Sequence, residues 1–161
     1  MRRGNGLWTM NERSLLRVIC TSGVIAGTVD IGSASVICKA NPIVILQAVA
    51  AGVLGTAAFH MGFSAAALGL VLQWAMSIVI AGCCALTSHR FAGLARHWVA
   101  AGVAYGVVIY FVMNYIVVPL SAALKPGAIT ARLFIENMAA MLLFALIITY
   151  RLKVVPHRIE A

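Results

Sequence analysis

Two carboxylates, Asp30 and Glu136, stand within or at the edge of long apolar runs. With His60, Gln73, Tyr110, Asn114 and Asn137 they form the set of side chains best suited to hold a proton, a cation or a polar solute. At the centre of an isolated membrane helix an aspartate costs about 2.5–3.5 kcal/mol of insertion free energy, so it faces protein or water and marks a candidate functional position. Asp30 and Glu136 could in principle act as an acid/base pair, but their spacing does not place them within reach of each other. Asp30, His60 and Glu136 are also metal-compatible, yet they lack a ligand spacing such as H-E-x-x-H, and His89, His97 and His157 fall at the opposite end. Cys20, Cys38 and the adjacent Cys83-Cys84 form no C-x-x-C pattern, and no phosphate-binding glycine loop or nucleophile elbow is present. The sequence therefore implies no metal, no cofactor and no recognisable catalytic centre.

The elements that carry these residues follow from composition. At 63% hydrophobic and 10% charged residues, with mean hydropathy +1.00, the chain is far less charged than a soluble domain, which carries about 25%. It reads as an integral membrane protein. Four apolar runs, roughly 15–38, 64–86, 98–120 and 133–150, each approach the ~20 residues needed to cross a bilayer. Between the first two lies PIVILQAVAAGVLG, 42–55, which is apolar but only 14 residues long and opens on Asn41-Pro42, a helix-start pair. The expectation is an all-α integral membrane four-helix bundle with an additional short interfacial or re-entrant helix. A basic cytoplasmic segment, 1–14, precedes the bundle of 15–150, and a basic cytoplasmic tail, 151–161, follows it.

The formal net charge of +8 is distributed as a topology signal. With the N-terminus inside, Arg2, Arg3, Arg13, Arg17, Arg90, Arg96, Arg151, Lys153 and Arg158 are cytoplasmic, and only Lys39, Lys125 and Arg132 are outside. Nine basic residues against three predict cytoplasmic termini by the positive-inside rule. A cleaved signal peptide is the competing reading of the N-terminus, but the first run is longer than a typical signal core and is interrupted by Asp30. The basic residues are few and interspersed, which favours anionic headgroups over nucleic acid as their neighbours.

Within the spans, polar and small residues fall on faces. Gly23, Gly27, Asp30 and Ala34 share one helical face, and Gly102-x-x-x-Gly106 repeats the small-residue theme; close packing within the chain is favoured over a dimer seam. Gly69, Gln73, Ser77 and Cys84 form a stripe in the second span, with Gln73 near mid-membrane as an interhelical hydrogen-bonding residue. Glu136 follows Arg132 by one turn at a helix start, where a carboxylate costs little. Asp30, Asn114, Glu136 and Asn137 share the outer half, so the bundle is expected to hold an outward-facing polar pocket with His60 closing over it. Within it Asp30 would pair with His60 or Arg132, or hydrogen-bond to Asn114 or Tyr110.

The runs TVDIGSASVI, NPIVILQAVAAGVLGTAAFHMG and AGVAYGVVIYFVMNYIVVPLSA resemble a group of small bacterial four-helix inner-membrane proteins of uncharacterised activity, over roughly Gly23 to Ala122. The resemblance implies a bacterial inner-membrane location and transfers no site residues. Three classes of function follow: a binding or transport module for a small solute, lipid or proton around Asp30; a structural or assembly subunit that partners a homo-oligomer or other membrane subunits; and, without support from any motif, a membrane-embedded enzyme.

Overall fold

The computed structural model describes residues 12–90, 97–120 and 131–159, and among these the chain is helical with no strand. Helix α1 is Glu12–Cys38, α2 is Pro42–Leu54 and α3 is Phe63–Arg90. Helix α4 starts with Trp98–Val112, widens into a π-turn at Met113–Val117 and closes with Val118–Leu120; α5 is Ala131–Ile159. The outermost parts of the predicted basic segments, residues 1–11, 160 and 161, lie outside the described residues, as does the 121–130 connection that holds Lys125.

Local chemistry sets the breaks. Lys39 adopts φ 50°, which ends α1, and Asn41 Oδ1 accepts from the Ile43 amide at 3.0 Å to cap α2, with Pro42 in its first turn. Gly55 terminates α2 at φ 63°, a conformation that disfavours any side chain. In α4 the π-turn ends two residues before Pro119, which has no amide hydrogen to return to the carbonyl four residues back, and Asn114 Nδ2 donates to the Tyr110 carbonyl at 2.9 Å within this distorted stretch.

The helices pair through glycines, as expected for membrane bundles in which small residues admit close approach. A Cβ on Gly23 would stand 2.7 Å from Ile78 Cα, and one on Gly27 2.6 Å from Ser77 Oγ, so the small face of α1 is filled by α3 of the same chain. Gly102 meets Leu146 and Thr149, and Gly106 meets Leu142, in the same manner between α4 and α5. The registers are antiparallel. Along α1 and α3, Ile19 faces Gly82 and Asp30 faces Gln73; along α1 and α5, Thr21 faces Arg151 and Val36 lies near Glu136. Trp98 packs tilted against Tyr150, and Tyr110 edge-on against Phe134, so α4 opposes α5. Helices α1 and α4 therefore run one way and α3 and α5 the other. Val18, Ala81, Ile109, Phe144 and Ile148 join the four in one buried core.

Helix α2 differs from the expectation. A 3₁₀ segment, Gly55–His60, prolongs its apolar path to 19 residues, so Pro42–His60 joins the other four helices as a segment long and apolar enough to cross a membrane. At rises of about 1.5 Å per α residue and about 2.0 Å per 3₁₀ residue the path reaches ~31 Å. The reading of 42–55 as too short to cross thus fails on length, because the 3₁₀ turn absorbs residues after the glycine break. Its packing is nevertheless against the first two turns of α3: Gly69 receives the Leu46 carbonyl where a Cβ would overlap it, and Gln47 Nε2 donates to the Gly62 carbonyl at 2.9 Å. Ala50, Ala51, Ala58 and Ala65 seal this contact. Because α1 and α3 are antiparallel and in register, the end of α1 and the start of α3 lie at the same end of the molecule.

Candidate binding site

The centre of the molecule holds one interhelical polar contact between formally chargeable and amide side chains. Gln73 Nε2 donates to Asp30 Oδ2 at 2.8 Å, joining α3 to α1. Two residues earlier on α1, Trp74 Nε1 donates to Thr28 Oγ1 at 3.3 Å, and the Thr28 hydroxyl donates in turn to the Val24 carbonyl at 2.7 Å. Gln73 itself is buried and Asp30 is half-buried. The ion pair among the described residues is Arg132–Glu136, so no cation pairs with Asp30 there.

Asp30 and Gln73 line a small, partly open cavity together with Met76, Ile80, Ile109, Met113, Met141 and Phe144. Its volume open to the centre of a water molecule is about 10 Å³. That is the threshold for one bound water, which needs about 10–15 Å³ of such space. The arrangement can hold a proton on the carboxylate, one water, or one compact hydrogen-bond donor.

Four of these side chains, Met76, Ile80, Ile109 and Met113, also form the wall of a larger apolar groove of about 360 Å³ between α3 and α4. The two helices do not pack closely here; Tyr105 bridges them by donating its hydroxyl to the Ile80 carbonyl at 2.8 Å. A second, open groove of about 390 Å³ lies between α1 and α5, where Gly32, Ser33 and Val36 face Glu136 and Ala140.

The single outward pocket expected from depth alone is divided. Asp30 and Gln73 come together, but Asp30 pairs with neither His60 nor Arg132 and bonds to neither Asn114 nor Tyr110. Arg132 Nε donates instead to Glu136 Oε1 at 2.8 Å along the same helix. Glu136 borders the α1–α5 groove near Val36, six residues beyond Asp30, which is about 9 Å along a helix axis. Tyr110 is buried against Phe111 and Phe134, Asn114 is used within its own helix, Asn137 is half-buried and His60 is exposed at the end of the 3₁₀ segment. Equal depth does not set azimuth, and a helical side chain with a carbonyl or a charge one turn away is satisfied locally.

Residues that the sequence reading left aside are Met76, Met113, Tyr105 and the Trp74–Thr28 contact. A tyrosine hydroxyl deep in a span, which must find an acceptor, is the one signal that could have pointed to Tyr105. Among the described residues no group of three or more His, Cys, Asp or Glu side chains converges as a metal site, and the four cysteines are unpaired. No protein-family model, curated protein or solved structure matches this chain.

Proposed function

We propose that this is a bacterial inner-membrane protein that crosses the bilayer four times, through α1, α3, α4 and α5, with both termini cytoplasmic, and that Asp30 with Gln73 forms its binding site for a proton or a small solute. The topology draws on the positive-inside count and on the antiparallel registers. A single crossing by α2 would put the end of α1 and the start of α3 on opposite sides, against their packing; α2 is a re-entrant or interfacial element on the outer half of α3.

The observation that carries the functional reading is the carboxylate of Asp30, held inside the bundle by one neutral amide, lining a water-sized cavity and lacking a cationic partner among the described residues. Interhelical glue alone is supplied at lower cost by an asparagine, which keeps the hydrogen bond without the charge. The deciding experiment is thermal unfolding in native-like lipid across pH, ions and small solutes, wild type beside Asp30→Asn. A shift in wild type that vanishes in an equally stable or more stable mutant supports the site.

An assembly subunit is the second reading, favoured by the local satisfaction of Thr21, Thr28, Ser33 and Ser35, each of which donates to a carbonyl one turn back. A destabilised Asp30→Asn protein that responds to no condition would select it and reject the binding site.

A further inference from the structure

We infer that the groove between α3 and α4 is the lateral entry to the Asp30–Gln73 cavity, and that the pair of spaces accepts a single-chain amphiphile with a primary ammonium head. This inference rests on the binding reading of Asp30 and names the ligand class. The chain portion follows from the groove: its walls are Met76, Val79, Ile80, Tyr105, Val108 and Met113, with almost no polar surface, and they belong to helices of membrane-spanning length, so an acyl chain can lie there without leaving an apolar medium.

The head follows from the cavity. Met76, Ile80, Ile109 and Met113 face both spaces, so the groove and the carboxylate are separated by one layer of side chains. Two of the four are methionines, whose unbranched side chains rearrange readily, and Met113 opens the π-turn. Behind that layer there is room for about one water, so the head must be compact. The carboxylate has accepting capacity beyond the one bond from Gln73 and no cation beside it among the described residues, so the head must bring positive charge and N–H donors. A primary ammonium meets all three conditions. A trimethylammonium is too large and donates nothing, and a carboxylate head is repelled.

The test uses the full chain in phosphatidylcholine nanodiscs with n-dodecylamine, and dodecyltrimethylammonium as a control of equal chain and charge. Dodecylamine is expected to raise the unfolding midpoint of wild type, and the control to leave it unchanged. Asp30→Asn should weaken dodecylamine binding roughly tenfold or more, the loss expected when one partner of a buried hydrogen-bonded charge pair is removed. Val108→Trp and, on the opposite wall, Val79→Trp should do the same with Asp30 intact; both residues line the groove but not the cavity and are 55% and 64% exposed, so at least one larger ring can be accommodated. Equal binding of the two amphiphiles, or binding untouched by a folded groove variant, overturns the inference. An Asp30-dependent pH shift without any alkylamine response rejects this ligand and entry route while leaving the proton site standing; loss of both responses rejects both.

Discussion

Gln73 Nε2 lies 2.8 Å from Asp30 Oδ2, and this contact between α3 and α1 makes the two residues one energetic unit. Asp30→Asn retains an oxygen acceptor for the Gln73 amide and removes the charge, so the protein should fold with an unchanged or higher unfolding midpoint. Gln73→Leu leaves the carboxylate without its donor and should cost about 1–3 kcal/mol. The double variant should be less destabilised than Gln73→Leu alone. Strict additivity in the unfolding cycle would show that the contact contributes nothing.

Gly69 and Gly32 should respond in opposite ways to alanine. A Cβ on Gly69 overlaps the Leu46 carbonyl, so Gly69→Ala must push α2 away from α3, at about 1–3 kcal/mol. A Cβ on Gly32 meets nothing within 4 Å, so Gly32→Ala should be neutral or stabilise by up to about 1 kcal/mol through helix propensity. Comparative unfolding in one detergent measures both, and equal destabilisation would contradict the packing of α2.

Tyr105 bridges the groove between α3 and α4 by its bond to the Ile80 carbonyl. Removing the hydroxyl in Tyr105→Phe should cost about 0.5–1.5 kcal/mol. It should also change the rate at which Cys83, which lines the groove, reacts with a membrane-permeant thiol reagent. An unaltered rate and stability would show that the bridge is incidental.

Arg151 Nη2 donates to Thr21 Oγ1 at 3.1 Å, which brings the last helix back to the start of the first. Single cysteines in a cysteine-free background should therefore report the same side at residues 5 and 158 and the opposite side at residues 60 and 125. Labelling with an impermeant maleimide reads this directly. Labelling of residue 60 from the same side as residue 5 would make α2 a fifth crossing and overturn the proposed topology.

The helical class and most helix positions were legible from local information. Long apolar runs in a chain so poor in charge leave the backbone no alternative to internal hydrogen bonding. Asn41-Pro42 and Gly55 marked the bounds of α2 because capping and positive φ depend on one or two residues. The small faces of α1 and α4 were legible as packing faces for the same reason. The 3₁₀ continuation through His60 was not, since GTAAFH carries no periodic signal distinct from a loop.

The site divides along the same line. Asp30 stood out by sequence alone because the cost of a carboxylate in an apolar run depends only on its immediate surroundings. Its partner did not: His60, Arg132, Asn114 and Tyr110 were the expected donors and the partner is Gln73, because the choice turns on which helix faces α1 and in what register. Ile78 against Gly23 and Ser77 against Gly27 fix that register and bring Gln73 to Asp30. The sequence by itself thus determined that the protein is helical, apolar and burdened with an internal carboxylate, all properties of single segments. Only the tertiary structure decided the carboxylate's partner, its water-sized cavity and the groove beside it, because these arise where side chains from separate helices meet.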